Sequence, residues 1–416
     1  MNSPVAANAR AGRFVSTVAF DEAVNAFVPA PLPPEPAVDI SGSLISKLSD
    51  ADRAIGRLDG IAMMLPETSL FLYMYVRKEA VLSSQIEGTQ STLDDLLLFE
   101  NVALLGQPID DITEVSNYVD AMMYGLRLMR DDTSEGLPLC LRLIREMHGR
   151  LLQSGRGEQK DPGEFRRSQN WIGGTRPGNA TYVPPPVNEL AGCLDSFEKF
   201  LYDETVPLPP LIRAGLLHVQ FESIHPFLDG NGRIGRLLIA LFLVERRVLQ
   251  QPLLYLSLYF KSNREAYYRL LQEVRQNGAW EAWLEFFLDG VTETANNAFD
   301  SASRIVQLFR EDRQRISAST DRASTALRVH EVLQRQPFVT ANQLTTTTGL
   351  TTPTVNSALQ ALEMLGIVRE ITGKQRSRVY CYQEFMDILD DGAGSRQRRA
   401  SQRIEPPQEP IPATDP

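Results

Sequence analysis

The chain has 416 residues, 43% of them hydrophobic and 23% charged, with a net charge of −10. That length exceeds one ordinary core and predicts two or three packed units of soluble, globular composition. The negative balance excludes a protein that coats nucleic acid with its whole surface, leaving only a local basic patch for such a partner. No apolar run reaches the ~18 residues needed to span a bilayer. The longest is Leu237 to Val244, and the opening MNSPVAANARAGRF lacks a signal-peptide core, so a cytoplasmic protein without membrane contact is expected. Cys140, Cys193 and Cys381 are odd in number and widely spaced. With four histidines they offer no zinc spacing and no disulfide framework, and they read as small buried side chains.

Residues 1–39 contain FVPAPLPPEP, which excludes helix and central strand, so this arm is either disordered or extended along the domain. From Ile40 the periodicity turns helical, with Leu48, Ala51, Ile55 and Leu58 on one face. A second helix runs from Pro66 to Ile86 and breaks at Gly88. A third begins at Ser91 or Thr92. Further helices are predicted over 110–130, 138–153, 187–203 and 210–224. Within 168–184, two short apolar runs flank a Gly/Pro/Asn turn and predict a small hairpin. The stretch from Arg233 to Glu245 is apolar nearly all round, as the central helix of a bundle would be. Helices over 263–276, 279–289 and 290–316 follow, then a polar linker from Ser317 to Arg322.

Residues 323–385 follow a different logic. A helix from Ala326 is followed by a helix capped by Thr340, a turn at Gly349, and a helix opening at Thr351-Thr352-Pro353. Two strands around Gly373 complete a pattern that resembles a winged helix-turn-helix. The tail, 390–416, has almost no apolar residues and is expected to be disordered.

The informative segment is His225-Pro226-Phe227-Leu228-Asp229-Gly230-Asn231-Gly232-Arg233-Ile234-Gly235-Arg236. It joins two helices, so the second helix starts with unpaired amides and partial positive charge, where an anion is favoured. Gly230 and Gly232 let a phosphate approach the backbone, and Arg233 and Arg236 add charged donors. Asp229 is a hard oxygen ligand suited to Mg²⁺, and His225 can titrate near neutrality as a general base must.

This segment resembles the HPFx[D/E]GNGRxxR signature of the Fic family at every fixed position, and the resemblance extends over about 40–300. It implies a mainly α, Fic-type helical bundle with a small β-hairpin flap, here joined to a C-terminal winged helix. Residues 40–130 would form an N-terminal helical region and 131–316 the catalytic core. By resemblance, Mg-ATP is the substrate complex and AMP passes to Ser, Thr or Tyr hydroxyls of target proteins and of the chain itself. His225 would take the hydroxyl proton and Asp229 would hold the metal. Gly230, Asn231, Gly232, Arg233, Ile234 and Gly235 would lie along the phosphates, with Arg236 on the γ-phosphate. Tyr267 matches an adenosine-side position, its neighbour Tyr268 reading as core. Ile172, Gly173 and Gly174 fall on the flap, where an extended target segment adds main-chain hydrogen bonds.

Ser83 and Glu87 lie four apart on one helix face. SSQIEGT, with Gly88, resembles the family's [S/T]xxxE[G/N] inhibitory motif, which implies that Glu87 pairs with Arg236 and blocks productive ATP binding. In some relatives the same glutamate supports removal of AMP. Relatives with this layout often form homodimers. Two other functions stay open: a Fic transferase using another nucleotide, and a nucleotide-sensing DNA-binding regulator. For the latter, Arg369, Lys374, Arg376 and Arg378 give the wing a net +3 against Glu370, but the recognition helix carries no Lys or Arg. Such modules also serve as dimerisation or docking surfaces.

Overall fold

A computed structural model describes residues 10–64, 68–93, 95–96, 109–130, 133, 136–319, 323–374 and 377–390. The chain opens with an antiparallel hairpin of β1 (Gly12–Ala19) and β2 (Glu22–Pro29), in register from Gly12 opposite Pro29 to Ala19 opposite Glu22. This corrects the expectation of an arm without internal pairing. Its two-residue loop, Phe20-Asp21, has φ of 51° and 63°. That is the mirror-image turn that suits strand twist, made without the Asn-Gly signature that normally announces it. The proline-rich residues that follow carry neither helix nor strand up to Gly42.

Among the described residues ten α-helices then build the bundle. They are α1 (Gly42–Met64), α2 (Thr68–Ile86), α3 (Ile109–Met129), α4 (Leu141–Leu151), α5 (Val187–Tyr202), α6 (Pro210–Ile224), α7 (Asn231–Glu245), α8 (Ser257–Ser262), α9 (Arg264–Asn277) and α10 (Trp280–Ser319). The third helix expected near 91–98 lies largely outside the described residues. At its start Thr92 and Asp95 exchange hydrogen bonds, Thr92 N to Asp95 Oδ2 at 2.9 Å and Asp95 N to Thr92 Oγ1 at 3.2 Å.

α6 and α7 form the centre. Every residue from Leu211 to Ile224 is buried, and α7 is buried from Arg233 to Leu243. Gly215 lets α10 close in, and Trp283 Nε1 donates to its carbonyl at 2.9 Å. The two helices expected over 279–289 and 290–316 are one 40-residue helix, α10, which also runs on to Ser319. Gly290 is no break. A methyl group there would lie 2.6 Å from the Tyr259 ring, so the glycine serves close packing inside a continuous helix.

The C-terminal unit comprises α11 (Ala323–Leu333), β3 (Phe338–Thr340), α12 (Ala341–Thr348), α13 (Thr352–Met364), β4 (Arg369–Glu370), β5 (Val379–Cys381) and α14 (Gln383–Asp390). The strands order as β3-β5-β4, all antiparallel. Thr340 caps α12 by accepting from Gln343 N, and Gly349 turns the chain at φ 67°. The unit is tied to α10 by Tyr382, whose hydroxyl donates to buried Asp312 at 2.6 Å. α14 was not expected, and the expected disordered tail beyond it lies outside the described residues. Cys193 and Cys381 are buried and Cys140 is half-buried, all as free thiols. Among the described residues no helix is long and apolar enough to cross a membrane.

Because Asp21 sits at φ 63°, Asp21→Gly should relieve its backbone by about 0.5–1 kcal/mol. Amide exchange across β1 and β2 is expected to slow by about two- to fivefold, whereas faster exchange would contradict this account of the turn.

Candidate active site

The loop between α6 and α7 is held by side chains from four other segments. His225 ends α6 in the left-handed region, at φ 48° and ψ 61°, a placement that costs a non-glycine residue about 1–2 kcal/mol. The surroundings fix it there. Its N–H donates to Phe221 O at 2.9 Å. Its carbonyl accepts from Arg166 Nε at 3.0 Å and Asn170 Nδ2 at 3.5 Å. Arg166 N also donates to Pro226 O at 2.9 Å. Arg275 donates to Glu222 O at 3.0 Å and Tyr182 Oη to Ser223 O at 2.5 Å, satisfying the last carbonyls of α6.

Downstream, Asn231 is buried and closes the loop on Phe227. Its Oδ1 accepts from Phe227 N at 2.9 Å and its Nδ2 donates to Phe227 O at 2.8 Å. The Phe227 ring stacks on His148 at 3.7 Å and 6°. His148 Nδ1 accepts from Gly163 N at 2.9 Å, which leaves Nε2 as the donor to Asp229 O at 3.0 Å. Burial pushes His148 down to about 4, so this neutral tautomer persists at ordinary pH.

At the start of α7, Gly230 is left-handed at φ 75°, and the first helical bond runs from Ile234 N to Gly230 O at 3.0 Å. The amides of Asn231, Gly232 and Arg233 therefore have no helical acceptor. A carboxylate stands beside this helix start without bonding those amides: a methyl group on Gly232 would collide with Glu87 Oε1. The same oxygen accepts from Arg236 Nη2 at 2.8 Å, while Ser83 accepts from Arg236 through both Oγ, at 2.8 Å, and its carbonyl, at 3.0 Å. Gly88, at φ 106°, ends the helix just beyond.

Burial alone would raise the Glu87 carboxyl, but Arg236 beside it keeps it below its ordinary value. The Arg236 guanidinium is correspondingly pushed up against its own burial. Two more carboxyls flank this arginine. Burial pushes Glu79 and Glu222 up to about 7 each, with Arg236 pulling both back. Burial, reinforced by the charges of Arg275 and Arg166, drives His225 down to about 3. Its imidazole is thus unprotonated and able to accept a proton, and its Nδ1 lacks a hydrogen-bond partner of normal geometry among the described residues.

Asp229 stands at the loop's mouth with its side chain 37% exposed. Its Oδ1 accepts from Gly230 N at 2.6 Å and from Arg233 at 3.4 Å. Among the described residues no three His, Cys, Asp or Glu side chains form a metal cage. An accessible carboxylate beside a phosphate site is nonetheless the donor set that suits Mg²⁺ sharing its ligands with substrate and water.

The structure thus brings His225, Asp229, Gly230, Gly232, Arg236, Ser83 and Glu87 together. Others lie differently from expectation. The Asn231 side chain is spent on the loop, so only its amide faces an anion. Arg233 is buried, with Nη1 on Glu114 at 3.2 Å, and Glu114 in turn meets Arg156 at 3.3 Å. Ile234 is core, and Gly235 makes room for Glu222, its carbonyl meeting His218 Nδ1 at 3.0 Å.

The two tyrosines exchange places. Tyr267 is 1% exposed, packed on Phe260 with its hydroxyl on His218 Nε2 at 2.9 Å, whereas Tyr268 is 42% exposed and within electrostatic reach of Glu87 and Arg236. The flap is a single bridge between Ile172 and Tyr182 rather than a pair of strands. Gly173 and Gly174 turn there at φ 69° and 70°, against Thr181 and Asn179. Phe27 N of β2 donates to Val183 O at 2.9 Å, so the N-terminal hairpin backs the flap.

His148, Arg166, Asn170, Tyr182 and Arg275 escaped sequence reasoning. Each is a lone polar residue far along the chain from the loop it holds, and none stands in a spacing pattern that marks it.

A helical bundle whose buried helix pair presents an anion-binding turn and a histidine, closed by a carboxylate from a third helix, is the class of protein defined here. Residues 45–127 match the Fic/DOC family N-terminal region and residues 138–243 the Fic/DOC family domain. These residues carry the two Fic/DOC family domains. Residues 322–369 match the winged helix-turn-helix DNA-binding family. The chain is 31% identical over 255 residues to the protein adenylyltransferase Fic of Drosophila yakuba, covering 61% of this chain and 46% of the relative. It is 32% identical over 212 residues to that of Drosophila willistoni, covering 50% and 39%. The chain thus spans about half the length of the curated relatives it matches. A solved Fic family protein from Desulfovibrio desulfuricans G20 shares the fold, with TM-score 0.53 at 20% identity over 83% of this chain and 97% of that one.

Groups whose folded pKa is raised stabilise the protein below their ordinary pKa of 4.5 and lose that contribution as pH rises through about 7. The melting temperature should therefore fall between pH 5 and 8. Glu222→Gln should flatten that dependence and raise the pH 8 melting temperature by about 2–4 °C. An unchanged pH profile in the variant would contradict the assignment.

Proposed function

We propose that this chain is a protein adenylyltransferase that moves AMP from ATP to a protein hydroxyl and is restrained by Glu87. The observation that carries the reading is the carboxylate of Glu87 lying over Gly232 while it holds Arg236. Glu87 stands beside the start of α7 and engages the cation that a terminal phosphate would need. With Glu87 withdrawn, the amides of Asn231, Gly232 and Arg233 and the guanidinium of Arg236 are placed to take a triphosphate.

His225, unprotonated, accepts the proton of a Ser, Thr or Tyr hydroxyl. The hydroxyl oxygen bonds to the α-phosphorus as the bond from that phosphorus to the bridging oxygen breaks, and pyrophosphate leaves. Asp229 is the residue that would hold Mg²⁺, which when bound neutralises phosphate charge. Arg166 and Asn170 keep His225 aimed by bonding its carbonyl, a positioning effect that matters because small misplacements slow group transfer steeply. The flap at 172–174, backed by the N-terminal hairpin, offers backbone for an extended target segment. The family relationship to proteins named adenylyltransferases supports ATP as the nucleotide.

The match to a DNA-binding winged-helix family supports a second role in docking. α13 carries no Lys or Arg, which favours protein over duplex DNA as the docked partner.

Incubation with Mg-ATP labelled at the α-phosphate tests the enzymatic reading. Glu87→Gly is expected to raise self-labelling by about 5- to 150-fold, and His225→Ala in that background to lower it by about 10²–10⁴-fold. Label transferred from the γ-phosphate instead would replace this reading with kinase chemistry.

A further inference from the structure

The helix that carries Ser83 and Glu87 has a second working face. Glu79 and Ser83 on α2 and Glu87 just past its end form one stripe, directed at Tyr118 and Arg236. Lys78 and Leu82 lie about a quarter-turn round the same helix from Glu79 and Ser83, and Tyr75 lies about one turn before Glu79. There they wall a cavity of about 410 Å³, closed on its other sides by the 255–258 segment and by α10. That volume lies in the range of small-molecule sites. No residue named in the phosphate site lines the cavity.

Its lining describes the ligand. Tyr75 and Tyr255 stack at 6.0 Å and 28°, and with Leu82 and Ala298 they make an apolar slot for a flat ring. Among the described lining residues Lys78 and Arg304 are cationic and Asp300 is anionic, and both cations also hold partners of their own. The Tyr255 hydroxyl is buried, with no hydrogen-bond partner among the described residues.

The cavity is also wired to the inhibitory stripe. Ser257, between Tyr255 and Leu258 of the cavity wall, donates to Glu79 Oε1 on that stripe. Lys78 Nζ donates to Leu389 O at 2.7 Å, joining the same helix to the end of α14 in the winged-helix unit.

We propose that this cavity binds a small aromatic carboxylate, and that occupancy holds α2 where Glu87 meets Arg236. The regulatory half rests on the reading of Glu87 as a brake. The direction follows from linkage. The cavity is present in the arrangement in which Glu87 grips Arg236, so a ligand that fits it favours that arrangement over one in which α2 has shifted. The effector therefore inhibits.

Calorimetry on the full chain with benzoate, 1-naphthoate and their neutral amides tests the site, with exchange of the 83–88 amides as the second readout. At least one carboxylate is expected to bind with Kd below about 1 mM, and its amide at least about tenfold more weakly. Asn297→Trp, at the exposed mouth, should weaken binding by at least about tenfold, as should Ala298→Phe from the floor. Ligand should slow exchange over 83–88 at least about threefold and lower self-labelling. Failure of both carboxylates to bind, equal binding of the amides, or undiminished binding by both variants overturns the site. Unchanged exchange at 83–88 with ligand bound overturns its coupling to α2. Neither binding nor exchange requires turnover, so both remain decisive if the transferase reading itself fails.

Discussion

A helix that begins in the interior of a protein leaves its first amides with nothing to bind, and the start of α7 has this problem in acute form. α7 is walled by the core on nearly every side, and the amides of Asn231, Gly232 and Arg233 have no helical acceptor. The Glu87 carboxylate stands beside Gly232 at that helix start and is bonded there by Arg236. The helix start needs an anion and the buried guanidinium needs a counter-charge, and the ion pair meets the second need while leaving the amides free. The same arrangement makes the pair exchangeable, because any anion with several oxygens can answer both needs in its stead.

The surrounding structure keeps this turn rigid. His225 holds a backbone conformation that is unfavourable for its residue type, and Arg166, Asn170, Arg275 and Tyr182 offset the cost by bonding the carbonyls around it. Asn231 and His148 do the same on the other side of the loop. The result is a stiff loop over which only Glu87, on a separate helix and one-third exposed, needs to move. Burial and the charges of Arg275 and Arg166 keep His225 unprotonated, so the packing that fixes the loop also sets its protonation state.

How much of this was legible in the chain follows from where the partners lie. The run from His225 to Arg236 is contiguous, and a loop feeding a helix start has known chemistry, so base, cradle and cation could be read together. Ser83 and Glu87 share a helix face and were readable as a pair. Arg166 and Asn170 stand 59 and 55 residues from the His225 carbonyl they bond, where no local pattern reports them. Tyr267 and Tyr268 differ by one position, about 100° around α9, which is enough to exchange core and surface. Gly290 reads as a helix break, and only the Tyr259 ring against it shows otherwise. The N-terminal hairpin stayed hidden because Phe20-Asp21 adopts its turn without the usual residues.

The measurement that bears most directly on this account is a crystal structure of Glu87→Gln in complex with Mg²⁺ and a non-hydrolysable ATP analogue. The account predicts phosphate oxygens on the amides of residues 231–233 and Arg236 turned from the side chain at position 87 to the terminal phosphate. A turn that stays bare of polyanion at saturating nucleotide, with Arg236 still bound only to Ser83, would contradict it.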